Sequence, residues 1–92
     1  MRNELQAIIK TYLRGLALRT RARMGLTQEQ MAEHLSMNTR SYIDIERGVC
    51  MCGTLTTLIL LMDQPDPLVA LSELEEKFKK LYEAYETEGL AL

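Results

Sequence analysis

The sequence predicts an all-α domain built from five helices. Three observations carry that expectation. Apolar residues recur in steps of three and four in each long segment, helix start and stop residues bracket those segments, and no stretch alternates apolar with polar as a half-buried strand would.

The first helix is expected from about Asn3 to Met24, where Leu5, Ile8, Ile9, Tyr12, Leu13 and Leu16 form one apolar stripe. Gly15 lies within it at a cost of about 1 kcal/mol relative to alanine. From Gly25 to Gly48 the chain reads GLTQEQMAEHLSMNTRSYIDIERG, two short helices joined by a turn. Thr27 with Gln30 three residues on makes a T-x-x-Q capping box. Met31, Ala32 and Leu35 then share a face, with Gln28, Glu29, Glu33 and His34 toward solvent. The small Ala32 lets two helices that cross near a right angle approach closely. Ser36 breaks the pattern, Met37 points inward, and Asn38 caps the next helix. Tyr42 and Ile45 form that helix's apolar stripe, and Gly48 stands where a left-handed residue would end it. The segment is a helix-turn-helix unit.

Val49 to Gly53 reads as a loop, and Thr54 as the cap of a fourth helix that places Leu55, Leu58 and Leu61 on the core face. Ile59 and Leu60 make this helix apolar nearly all round, so burial on more than one side is expected. Asp63 to Pro67 interrupts the chain; Asp66 serves as N-cap and Pro67 takes the first helical position. The fifth helix is expected over about Leu68–Thr87, with Leu71, Leu74, Phe78, Leu81 and Tyr85 in a heptad seam.

Ninety-two residues, 47% of them apolar, make a single small domain over 1–92. The longest apolar run, Leu58 to Met62, is far too short to span a bilayer. The first ten residues, MRNELQAIIK, lack a cleavage-type site, so no signal peptide is expected. Two cysteines make no disulfide framework, and a cytoplasmic setting is expected. The net charge of −2 conceals a division. Residues 1–48 hold eight Arg/Lys against five Asp/Glu, whereas residues 49–92 hold three against eight. The chain is basic where the motif lies and acidic beyond it.

The run LTQEQMAEHL followed by TRSYIDIERG resembles the Cro/repressor-type helix-turn-helix regulators of phage and bacteria over roughly residues 13–62. Its most telling positions are Thr27-Gln28, Ala32, Leu35 and Ile45-Glu46-Arg47-Gly48, which stand in register. The resemblance implies a five-helix lambda-repressor-like DNA-binding domain, here with an extended N-terminal helix and an added C-terminal helix over about 67–87. It implies a buried structural pair between Arg21 and Glu46. It places Thr39, Arg40 and Asp44 as base readers in the major groove, and Gln28, Asn38 and Ser41 toward phosphates, with Arg47 among the DNA-binding residues. Arg40 is the leading base reader, because a guanidinium matches guanine O6 and N7 in two hydrogen bonds.

Double-stranded DNA is therefore the expected partner, bound by a homodimer formed through helix 4 and the C-terminal helix. The function implied is sequence-specific regulation of transcription, most simply repression. The sequence departs from the family at three places. Ser36 replaces the usual turn glycine, Asp44 either accepts from a cytosine amine or repels the duplex, and the loop 49–53 has no charge. Asp44, the uncharged loop, the exposed-looking Ile43 and the acidic C-terminal half support an alternative, a protein-interaction module of antitoxin or adaptor type that keeps the fold.

No cofactor and no metal is expected. Cys50 and Cys52 are soft ligands of the kind that hold Cu(I) or zinc, but one chain supplies two of them and a single histidine, His34. No nucleophile with its base and no glycine-rich phosphate loop can be assembled, so an enzyme is not expected.

Overall fold

The computed structural model describes residues 1–87. Residues 88–92, which the single-domain expectation includes, lie outside the described residues. Five helices follow one another: α1 Arg2–Met24, α2 Gln28–His34, α3 Thr39–Glu46, α4 Thr54–Met62 and α5 Pro67–Thr87. No strand occurs among the described residues.

The long α1 is the axis of the fold. Tyr12, Leu13, Leu16, Ala17 and Thr20 give it a buried stripe at helical spacing. It stops at Gly25, whose φ of 66° is left-handed. Against this stripe pack α3, with Tyr42 and Ile45, and α4, with Leu60; Met31, Ala32 and Leu35 of the α2 segment, which packs on α3, complete the buried cluster.

The caps of the motif form as the residue types require. Thr27 Oγ1 accepts from Gln30 N–H at 3.1 Å, and Gln30 Oε1 accepts from Thr27 N–H at 2.9 Å. Asn38 Oδ1 accepts from Ser41 N–H at 2.8 Å and opens α3. Between them Ser36 adopts φ 57°, a left-handed conformation that costs a residue with a Cβ about 1–2 kcal/mol. The turn closes all the same, because Met37 N–H bonds to Ala32 O at 3.0 Å and the Met37 side chain packs on the core.

Three expectations for the second half require correction. Gly53, not Thr54, is the N-cap of α4; Thr54 is its first helical residue, and the Thr57 hydroxyl donates to Gly53 O at 2.9 Å. The core face of α4 is Ile59, Leu60 and Leu61, while Leu55 and Leu58 remain 69% and 53% exposed. A helix apolar on every side has no phase of its own, so contact with α1 and α5 sets its rotation. The heptad seam of α5 is also divided: Leu74, Phe78, Leu81 and Tyr85 are half-buried and Leu71 is exposed. Asp66 and Pro67 behave as expected, with Asp66 Oδ1 accepting from Leu68 and Val69 N–H at 3.2 and 3.3 Å.

Polar contacts pin this half to the motif. Tyr12 OH donates to Ala70 O at 2.5 Å, and Gln64 Nε2 donates to Thr20 Oγ1 at 2.9 Å. His34 Nε2 lies 2.8 Å from Asp63 Oδ2, and Arg23 donates to the carbonyl of Asp63. Among the described residues no helix is long and apolar enough to cross a membrane.

Candidate nucleic-acid interface

Glu46 is the polar centre of the motif, 8% exposed at the end of α3. Arg21 of α1 engages its carboxylate with two nitrogens, Nε to Oε2 at 2.5 Å and Nη2 to Oε1 at 3.3 Å. Gln28, the first residue of α2, donates Nε2–H to Oε1 at 3.0 Å. Tyr42, one turn earlier on α3, donates its hydroxyl to Oε2. Three helices thus converge on one carboxylate. Burial alone would push its pKa up, but the hydrogen bonds from Arg21, Tyr42 and Gln28 outweigh that and hold it below the usual carboxylate value. The Tyr42 hydroxyl is shifted the other way, well above the usual phenol value, by burial and by its bond to the charged carboxylate. Tyr42 is fully buried, so its hydroxyl is committed to Glu46 and does not reach the surface.

Arg14 of α1 also grips α3. Its Nε–H donates to the Glu46 carbonyl at 2.8 Å, satisfying an acceptor at the helix C-terminus. Arg14 and Arg21 stand two helical turns apart on α1, so one face of that helix holds both the main chain and the side chain of Glu46. The signal was present in the i, i+7 spacing. What it lacked was the position of α3.

With this inner side fixed, the outer side of α3 presents Thr39, Arg40, Ile43, Asp44 and Arg47, at positions i, i+1, i+4, i+5 and i+8. A shallow notch lined by Thr27, Gln28, Glu29, Thr39 and Ile43 joins this face to the start of α2. Of the proposed DNA-binding residues, Thr39, Arg40, Asp44 and Arg47 share this side of α3 and Gln28 borders the notch, whereas Ser41 lies off this face; their freedom differs. Arg40 is exposed and carries no ion pair among the described residues. Asp44 Oδ1 lies 3.7 Å from Arg47 Nη1, one turn on, with both groups accessible. Asn38 gives its side-chain oxygen to the cap of α3, and Gln28 gives one amide hydrogen to Glu46, leaving Gln28 Oε1 and the second hydrogen for a ligand. Ile43, exposed-looking in the sequence, is half-buried in the notch and is the apolar member of this face.

The face is not strongly basic: Arg40 and Arg47 are matched by Asp44 and Glu29. Arg14, at the α3 C-terminus, adds one more cation at its edge.

The cysteines lie in the loop between α3 and α4. Cys50 and Cys52 are free and half-buried, and burial together with Cys50 pushes the Cys52 thiol up to about 11. No group of three or more His, Cys, Asp or Glu placed to hold a metal ion occurs among the described residues.

The fold and this face define an all-α, helix-turn-helix domain with an outward-facing second motif helix. Comparison of the chain with protein-family models, with curated proteins and with solved structures finds no match.

Proposed function

We propose that this protein is a sequence-specific DNA-binding regulator of transcription, a repressor acting as a homodimer, with a lambda-repressor-like arrangement of its helices. One observation carries the reading. The inner side of α3 is locked by Arg14, Arg21, Gln28 and Tyr42, while its outer side leaves an unpaired arginine in the first turn. Anchoring of that kind lets a short helix enter the major groove as a rigid body.

In this reading Arg40 supplies two parallel hydrogen bonds to guanine, Thr39 contacts the neighbouring base, and Ile43 offers apolar surface to a thymine methyl. Asp44 accepts from a cytosine amine, its charge tempered by Arg47. Gln28, Ser41 and Arg47 serve the phosphates, with Asn38 holding the helix start in place. The small net charge of the face predicts modest non-specific affinity, so discrimination rests on base contacts.

Selection of bound sequences from random DNA at low salt tests the proposal. Enrichment of a short palindrome with a guanine whose preference disappears in Arg40→Ala supports it. A pool indistinguishable from unselected DNA refutes it.

A further inference from the structure

The exposed face of α5 has a symmetry of its own. Leu71, Leu74, Glu75, Phe78, Lys79 and Tyr82 line one shallow trough along the helix, following positions i, i+3, i+4, i+7, i+8 and i+11. Leu74 and Phe78 also border a groove shared with Leu58 and Met51, so the apolar surface continues onto α4. The charges on α5 are ordered: Glu73, Glu75 and Glu76 are followed at once by Lys77, Lys79 and Lys80.

We infer that this face takes a second copy of the same chain, with the two α5 helices packed antiparallel about a two-fold axis near Lys77. The inference deepens the homodimer part of the proposed function. Running the helix against itself in reverse about a point between Glu76 and Lys77 sets Leu71 opposite Tyr82 and, to within one residue, Leu74 opposite Phe78 and Glu75 opposite Lys79, each contact occurring twice. A parallel arrangement would instead set glutamates on glutamates and lysines on lysines, which is unfavourable. Within one chain Glu75 and Lys79 already pair at 3.2 Å, and both are well exposed, so each can reach across to a partner. A seam from Leu71 to Tyr82 is only about 17 Å long at 1.5 Å per residue. That is short of a standard interface of about 800 Å² per partner. Leu58 and Met51, which share a groove with Leu74 and Phe78, must therefore join it, which accounts for their exposure.

The test is the molar mass of the full chain, by sedimentation equilibrium at about 0.15 M salt. The wild type is expected at twice the chain mass of 10.6 kDa. Glu75→Lys alone and Lys79→Glu alone each place like charges in both symmetric contacts and weaken association roughly tenfold. An equimolar mixture of these two variants restores it to near the wild-type level, although neither chain has regained its own i, i+4 pair. That recovery distinguishes contacts between chains from helix stability within a chain. Circular dichroism establishes that both variants fold. A dimer indifferent to both substitutions, or a mixture no tighter than its components, overturns the antiparallel arrangement and leaves the homodimer reading standing. A monomer at about 100 µM overturns both.

Discussion

The side-chain amide of Gln28 and the carboxylate of Glu46 meet at 3.0 Å, joining the first residue of α2 to the last residue of α3. The two motif helices are thereby tied at their outer ends, while Ala32 lets them approach through the core. Arg21 and Tyr42 complete the set, so the orientation of α3 depends on a single buried carboxylate.

Replacing that carboxylate is expected to be costly. Glu46→Gln removes the charge that Arg21 and Tyr42 face, and a loss of about 3 kcal/mol is expected from urea denaturation. The figure lies at the low end for a broken buried pair because the Arg21 side chain keeps 29% exposure. Tyr42→Phe removes one bond to a charged acceptor and should cost about 2 kcal/mol. Equal stability of Glu46→Gln and wild type would contradict the role given to the network.

Acid should act through the same group. The folded carboxyl of Glu46 is held below its ordinary 4.5, so its contribution is complete above that value and is lost as pH falls through the lower, folded value. Tyr42 gives the opposite limb: its folded pKa is raised above 10.0, so its contribution is present below pH 10 and lost as pH climbs past it. Stability measured from about pH 5 downward should fall more steeply in wild type than in Glu46→Gln.

Two of the three left-handed positions of the motif, Ser36 and Gly48, should respond in opposite directions. Gly48 has φ 72°, and a Cβ there would sit 3.2 Å from Arg14 Cδ, so Gly48→Ala should lose about 1–2 kcal/mol. Ser36, at φ 57°, already bears that strain, and Ser36→Gly should gain about 0.5–1 kcal/mol. Thermal melts of the two variants, expected to shift to either side of wild type, check both signs.

On DNA, charge and base contacts should separate. Arg47→Ala is expected to weaken binding to all sequences alike and to reduce the salt slope by about one unit. Asp44→Asn should raise affinity for non-specific DNA at low salt, since it removes a carboxylate from the groove-facing side. Fluorescence anisotropy across a salt series reads both effects. If Asp44→Asn instead weakened binding to a selected site that carries a cytosine at this position, mere repulsion would be the wrong account of this residue.

Much of the architecture was legible in the chain because it is governed locally. The capping box of Thr27 and Gln30, the Asn38 cap, the stops at Gly25 and Gly48, and the entry through Asp66 and Pro67 each depend on residues within a few positions of one another. The all-α class and five helices follow from the same short-range rules. The spacing of Met31, Ala32, Leu35, Tyr42 and Ile45 fixed their inward face, since each lies on a helix with a polar side to oppose it.

Tertiary structure decided what no local rule could. The helix α4 has no polar side, so its rotation was undetermined until α1 and α5 buried Leu60 and Leu61 and left Leu55 and Leu58 outside. The roles of Arg14, Gln28 and the Tyr42 hydroxyl were hidden for a related reason. A long polar side chain looks the same in sequence whether it points to water or to a buried acceptor. Only the position of Glu46, brought across from α3, shows which of them had to turn inward, because a buried carboxylate must have its hydrogen bonds satisfied.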